Sequence, residues 1–202
     1  MGTRNLTMVI EGEKPVIAQY GQWDGYPSGQ GATALKFLKT RSLKKFKEKL
    51  KLVRFATDED TAEVNNWLET IGVTDGWMDM DQSAKYHRKY PLLTRDNGAE
   101  ILFLVQTLTE PAFLTDSADF AKDSLFCEWA YVIDLDKNTF EVYTGFNETP
   151  LDKDERFFTM DEDGEPPKYY PVRLVKSYSL DDLPGPKKFE KECNEVEEEV
   201  ES

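Results

Sequence analysis

Along the first twenty residues apolar and polar positions alternate. Leu6, Met8 and Ile10 fall on one face of an extended strand, and Thr3, Asn5, Thr7 and Val9 on the other. Glu11-Gly12-Glu13-Lys14 supplies a turn and residues 15–20 return, which predicts a β-hairpin. The period then lengthens. Residues 32–39 and 43–53 read as helices, the second with Leu43, Phe46, Leu50 and Val53 on one face and lysines elsewhere. Thr57-Asp58-Glu59-Asp60 has the form of a helix N-cap with an acidic first turn. Val64, Trp67, Leu68 and Ile71 follow at helical spacing, Gly72 closes the helix, and Trp67 is expected in the core.

Residues 73–97 read as irregular, with a short helical piece at 82–90. Ile101, Leu104, Val105 and Leu108 then mark a helix bracketed by Gly98 and Pro111. From residue 125 the period shortens to two. Cys127, Trp129, Tyr131 and Ile133 alternate with Glu128, Ala130, Val132 and Asp134, a turn follows at 136–138, and Phe140, Val142 and Thr144 complete a second hairpin. Residues 147–168 read as a long polar loop and 169–179 as a further strand. The pattern predicts an α+β fold, a mainly antiparallel sheet built from two hairpins and covered by amphipathic helices near 32–53, 58–71 and 98–109.

Length and composition fit one globular domain over residues 1–186. The last sixteen residues hold seven glutamates and little apolar content, which predicts a disordered tail or a solvated helix. Acidic residues outnumber basic ones by 39 to 25, for a net charge of −14. The charge is uneven: residues 39–54 carry +7, a solvated face or a local docking patch, and the remainder sums to −21. That balance excludes nonspecific nucleic-acid binding by the whole surface and suits a basic protein partner. No apolar run is long enough to span a bilayer and the first residues lack the core of a secretory signal, so a cytoplasmic location is expected, or the host cytoplasm for a phage-encoded chain.

The densest candidate for chemistry is residues 19–31, Gln-Tyr-Gly-Gln-Trp-Asp-Gly-Tyr-Pro-Ser-Gly-Gln-Gly. Asp24 is its only charged side chain. Asp24 can serve as a general base, Tyr26 as a proton or hydrogen-bond donor, and Arg4 as the group that neutralises an anion. Gln19, Tyr20, Trp23, Gly25 and Gly29 are the expected ligand contacts, Gly25 and Gly29 because they open access to the backbone. Arg4 has the parity of Leu6, so its guanidinium needs a carboxylate, and a hairpin brings residues near 4 and 20 to one end. This predicts an Arg4–Asp24 pair. The competing reading makes the segment an aromatic corner in which Asp24 only caps or pairs.

Other chemistries find less support. Thr3 stands close to where N-terminal nucleophile hydrolases carry their nucleophile, but Gly2 precedes it. Cys127 reads as a core cysteine, the single histidine, His87, as a surface residue, and no spacing suits a metal, a P-loop or a dinucleotide, so no metal and no cofactor are expected.

At Met1-Gly-Thr-Arg4, and at Gln19-Tyr20 followed by Trp23-Asp24-Gly25-Tyr26-Pro27 with Gly29 and Gly31, the chain resembles an uncharacterised protein family of bacteriophages, bacteria and fungi. The likeness covers the first 31 residues, and residues 125–145 look like the phage-type members. A motif held at the extreme N-terminus implies, by analogy, an Ntn-like layered sheet. Two functions are expected. One is an enzyme or small-ligand-binding protein, with hydrolase among the candidate activities, that takes a small polar ligand at the end of the first hairpin. The other is a phage-encoded acidic interaction protein, a host-defence inhibitor or nucleic-acid mimic, that binds a basic host protein without catalysis.

Overall fold

Both hairpins form, and they lie side by side in one sheet. A computed structural model describes residues 2–158 and 168–200, the side chains of 196–200 excepted. In chain order the strands are β1 (Asn5–Glu11), β2 (Lys14–Gly21), β3 (Val53–Phe55), β4 (Ala112–Leu114), β5 (Trp129–Asp134), β6 (Thr139–Thr144) and β7 (Arg173–Ser179). The helices are α1 (Ala32–Thr40), α2 (Leu43–Leu50), α3 (Asp58–Thr70), α4 (Met80–Lys89), α5 (Ile101–Gln106) and α6 (Pro186–Val200).

The fold is α+β. Its main sheet runs β2-β1-β5-β6-β7, and β3 and β4 form a separate parallel ribbon. β1 pairs antiparallel with β2 and β5 with β6, but the two hairpins join through a parallel β1–β5 pair, Asn5 opposite Trp129 and Ile10 opposite Asp134. The starts of β1 and β5 therefore share one end of the sheet with the ends of β2 and β6. The hairpin turns occupy the other.

Both faces of the sheet are covered, so the two central strands are buried throughout. Val9, Ile17, Tyr131, Ile133, Phe140 and Val142 pack under α1, α2, α5 and α6. Leu6, Met8, Ala18, Ala130, Val132 and Tyr143 pack under Ala121, Leu151 and Phe157. The parity read from β1 is thus the parity of the fold.

Several expectations change. Cys127, expected beside Trp129 and Ile133, lies in the opposite cluster with Ala130 and Val132. It precedes the strand, in a turn where its N–H donates to the Asp123 carbonyl at 2.7 Å, so strand parity does not reach it. Trp67 is half-buried, its ring edge-on to Tyr90 at 5.4 Å with the Lys89 amine over its face, and is no core residue. The second predicted helix ends at Leu50, and Val53 starts the ribbon strand β3. α3 begins as read, with Thr57 and Asp60 closing a capping box.

The acidic tail is helical and joined to the core: Phe189 and Cys193 of α6 are fully buried, with Phe189 stacked 5.7 Å from Phe140. The predicted loop at 147–168 includes residues 159–167, which lie outside the described residues. Three lysines of the basic segment face neither solvent alone nor a partner. Lys39 donates to the Leu183 and Pro184 carbonyls, Lys47 to that of Leu135 and Lys49 to that of Leu108, stapling α1 and α2 to neighbouring loops.

Candidate functional site

The open end of the sheet carries the site. The loop after β2 folds back onto the start of β1: the Gly25 N–H donates to the Thr3 carbonyl at 2.9 Å, and the Tyr131 hydroxyl donates to the Gly25 carbonyl at 2.6 Å. A Cβ on Gly25 would stand 2.7 Å from the Thr3 carbonyl oxygen, and one on Gly31 would stand 2.8 Å from the Tyr131 ring. These glycines bring the loop close to β1 and β5; they do not line an opening. Gly29 lies in the π-helical turn Pro27–Gly31, its N–H donating to the Tyr26 carbonyl. The Asn5 amide holds the Gly21 and Trp23 carbonyls from below, and the Gln30 amide holds the Trp23 carbonyl again.

The Arg4–Asp24 pair does not form. The loop lies on the face of Tyr131, whereas Arg4 has the parity of Leu6 and points to the other face. Its guanidinium sits 4.5 Å above the Phe126 ring, and its backbone N–H donates to a Glu128 carboxylate oxygen at 3.1 Å. Among the described residues this guanidinium has no carboxylate partner, and its Nε is buried without an acceptor. A cation over an aromatic face is attracted by the ring quadrupole, but a ring does not replace a hydrogen-bond acceptor.

The rim is apolar. Trp23 and Tyr26 are about half exposed on the loop, and Leu125, Phe126 and Phe146 are similarly exposed where β5 begins and β6 ends. Asp24 is exposed and its carboxylate contacts nothing in the described structure. Asp24 and Phe146 also have positive φ, +54° and +52°. The other non-glycine residues in that region, Glu13 and Asn138, occupy the hairpin turns, where the left-handed conformation is ordinary. Main-chain hydrogen bonds hold Asp24 and Phe146, the Gln30 N–H to the Asp24 carbonyl at 2.8 Å and the Phe146 N–H to the Ser124 carbonyl at 2.7 Å, and the bulky Phe146 is the rarer residue in that region.

Gln19 and Tyr20 lie apart from Arg4, on the β2 edge. They line a cleft of about 320 Å³ with Leu93, Arg95, Thr115 and Ser117. The Gln19 amide donates to the Tyr20 and Thr94 carbonyls, and the Tyr20 hydroxyl donates to Gln22 Oε1 at 2.6 Å. Of the predicted residues, the structure therefore brings Trp23, Asp24, Gly25 and Tyr26 to the start of β1 and places Gln19 and Tyr20 in a neighbouring hollow.

The candidate nucleophiles are covered. Thr3 is buried, and Cys127 is fully buried, with desolvation, reinforced by Asp123 and Glu128, pushing its thiol far above the ordinary range. Among the described residues no group of three acidic, histidine or cysteine side chains is placed to hold a metal, and no helix is long and apolar enough to cross a membrane.

Phe126, Phe146 and Arg95 escaped the sequence reading. The apolar pair Leu125-Phe126 before the strand was the available signal, but only the parallel β1–β5 register puts it under Arg4. No protein-family model, no curated protein and no solved structure matches this chain.

Proposed function

We propose that the protein binds an anionic, ring-bearing small ligand at the open end of the sheet. Arg4 receives the anionic group over the Phe126 ring, with Leu125 and Phe146 exposed at the same end of the sheet, while Trp23, Asp24 and Tyr26 lie on the other face. The observation that carries this reading is the Arg4 guanidinium, whose buried Nε has no acceptor in a chain rich in carboxylates. An anionic ligand supplies the missing acceptor, and a charge-assisted hydrogen bond there is stronger than a neutral one. The positive φ of Asp24 and Phe146 supports the same place. Thr3 and Cys127 are buried, so neither offers a covalent nucleophile, and binding is the activity the geometry supports best.

Phenyl phosphate is the test ligand, followed by amide chemical shifts in solution. The expected result is perturbation of residues 3–5 and 125–128, tighter binding than inorganic phosphate, and loss of both effects in Arg4→Gln. Equal binding by the variant sinks the assignment. The five exposed apolar side chains at this end also favour a second reading, capture of a basic protein partner. Such an association weakens steeply with salt and survives Asp24→Asn, and a pull-down from host lysate at two salt concentrations reads it.

A further inference from the structure

The cleft on the β2 edge is built from three separate segments whose positions are fixed by the main chain. The Ser117 N–H donates to the Ala18 carbonyl at 3.0 Å, joining residues 115–117 to β2. The Gln19 side chain, only 5% exposed, ties β2 to residues 93–95 through the Thr94 carbonyl. The Tyr20 ring is held edge-on to Phe120, with centroids 4.9 Å apart. The wall is therefore preformed, and its volume of about 320 Å³ suits a small molecule.

Arg95 closes this cleft without a carboxylate. Its guanidinium lies 5.9 Å over the Tyr20 ring and hydrogen-bonds to Gln22 Oε1, a neutral acceptor already shared with the Tyr20 hydroxyl. Among the described residues Arg95 forms no ion pair, although Asp96 adjoins it in sequence and Asp116 stands between two lining residues. The Asp116 carboxylate is turned to its own loop, accepting the Ala118 N–H at 3.0 Å. A guanidinium has five donors, and a neutral amide oxygen and a ring face leave most of them free. Thr115 and Ser117, each with a hydroxyl, line the same hollow.

We infer that this cleft is a second binding site, for a small hydroxylated anion whose carboxylate or phosphate is taken by Arg95 and whose polar end meets Thr115 and Ser117. It adjoins the Arg4 site, since Tyr20 stands opposite Leu6 in the β1–β2 register, but it is lined by other residues and has its own guanidinium.

Titration with tartrate and, separately, with inorganic phosphate tests it, using amide shifts in the full chain. The expected result is saturable perturbation confined to residues 19–22, 93–95 and 115–117. Arg95→Gln weakens binding about ten- to a hundredfold, because one charge-assisted contact is lost. Arg4→Gln weakens it less than Arg95→Gln does, because Arg4 does not line the cleft. Arg95→Lys keeps the charge without the planar fork and falls between the two. The two probes identify whether carboxylate or phosphate is the preferred anion. Absence of saturation by either probe at tens of millimolar, equal binding by Arg95→Gln, or perturbation mapping to residues 3–5 instead overturns the inference.

Discussion

The two ends of the central sheet are about 20 Å apart and differ in how they treat buried polar groups. At the turn end no buried side-chain polar atom lacks a partner among the described residues. Arg156, from the segment after β6, donates to Asp134 at 2.5 Å and to both oxygens of Glu141 at 2.8 and 2.9 Å, while the Tyr143 hydroxyl donates to Glu141 at 2.7 Å. Asp134 also takes the N–H groups of Asp136 and Lys137, and Asp136 takes those of Gly12 and Glu13, locking one hairpin turn to the other. At the open end Arg4 Nε, Asn5 Oδ1 and Thr7 Oγ1 are buried along β1 without partners. The sheet is thus closed by charge at one end and left with spare hydrogen-bonding capacity at the other. A fold needs the first for stability, whereas a binding site uses the second.

The largest expected effect breaks the closed end. Arg156→Met removes one cation from between two buried carboxylates and destabilises by about 3–5 kcal/mol at neutral pH, measured by urea unfolding. The pH dependence follows from the native protein. Burial pushes the Asp134 and Glu141 carboxyls up, but hydrogen bonds outweigh it, chiefly those from the Lys137 N–H to Asp134 and from Arg156 to Glu141, and both end below their ordinary values. Groups lowered on folding stabilise above their unfolded pKa values, about 3.9 and 4.3, and that stability drains away as pH falls through the lower native values. Without Arg156 the Glu141 carboxyl loses its chief lowering contact and burial raises it, whereas Asp134 keeps the Lys137 N–H, so through Glu141 the gap between variant and wild type narrows from pH 7 towards pH 4. A gap that stays constant over that range removes the charge network as the reason the turn end is closed.

How far the two ends could be read beforehand differs for a physical reason. Alternation of period two fixes which residues of β1, β5 and β6 share a face, because the pleat sends neighbouring side chains to opposite sides. Both hairpins and the apolar face of Leu6, Met8 and Ile10 are therefore legible, whereas the burial of the second face, with Asn5, Thr7 and Val9, is not. Parity does not say which strands of different hairpins become neighbours. The parallel β1–β5 pair, the placement of Phe126 beneath Arg4, and Arg156 reaching back to Asp134 all depend on that choice. Cys127 shows the same limit locally, since parity ends where the strand does. Arg4 was correctly read as turned to the apolar face of Leu6 and in need of a partner; Asp24 was the wrong one, because its loop runs over the face of Tyr131.

A smaller effect is expected from tightening the open end. Gly25→Ala places a methyl 2.7 Å from the Thr3 carbonyl oxygen and 3.1 Å from that of Arg4, both backbone atoms that cannot rotate aside. The loop must lift from β1, at a cost of about 1–3 kcal/mol. Thermal unfolding measures the loss, and Trp23 fluorescence reports the displacement. A cost above that of Arg156→Met would invert the comparison and make the open end the better-secured one.

The smallest effect is expected at Asp24, in the loop over the open end. Asp24 holds a left-handed backbone at φ +54° with an exposed carboxylate that contacts nothing else described. Glycine adopts that conformation freely, so Asp24→Gly raises stability by up to about 1 kcal/mol, after the entropy glycine adds to the unfolded chain offsets part of the gain. Asp24→Asn keeps the backbone preference and shifts stability by less than about 0.5 kcal/mol. Both variants lack a carboxylate that lies on the face away from Arg4, so both keep the wild-type affinity for phenyl phosphate, and a loss of affinity in either puts Asp24 in the site. If Asp24→Gly instead costs about 1 kcal/mol or more, the side chain has a structural duty, and its strain ceases to count as a sign of function.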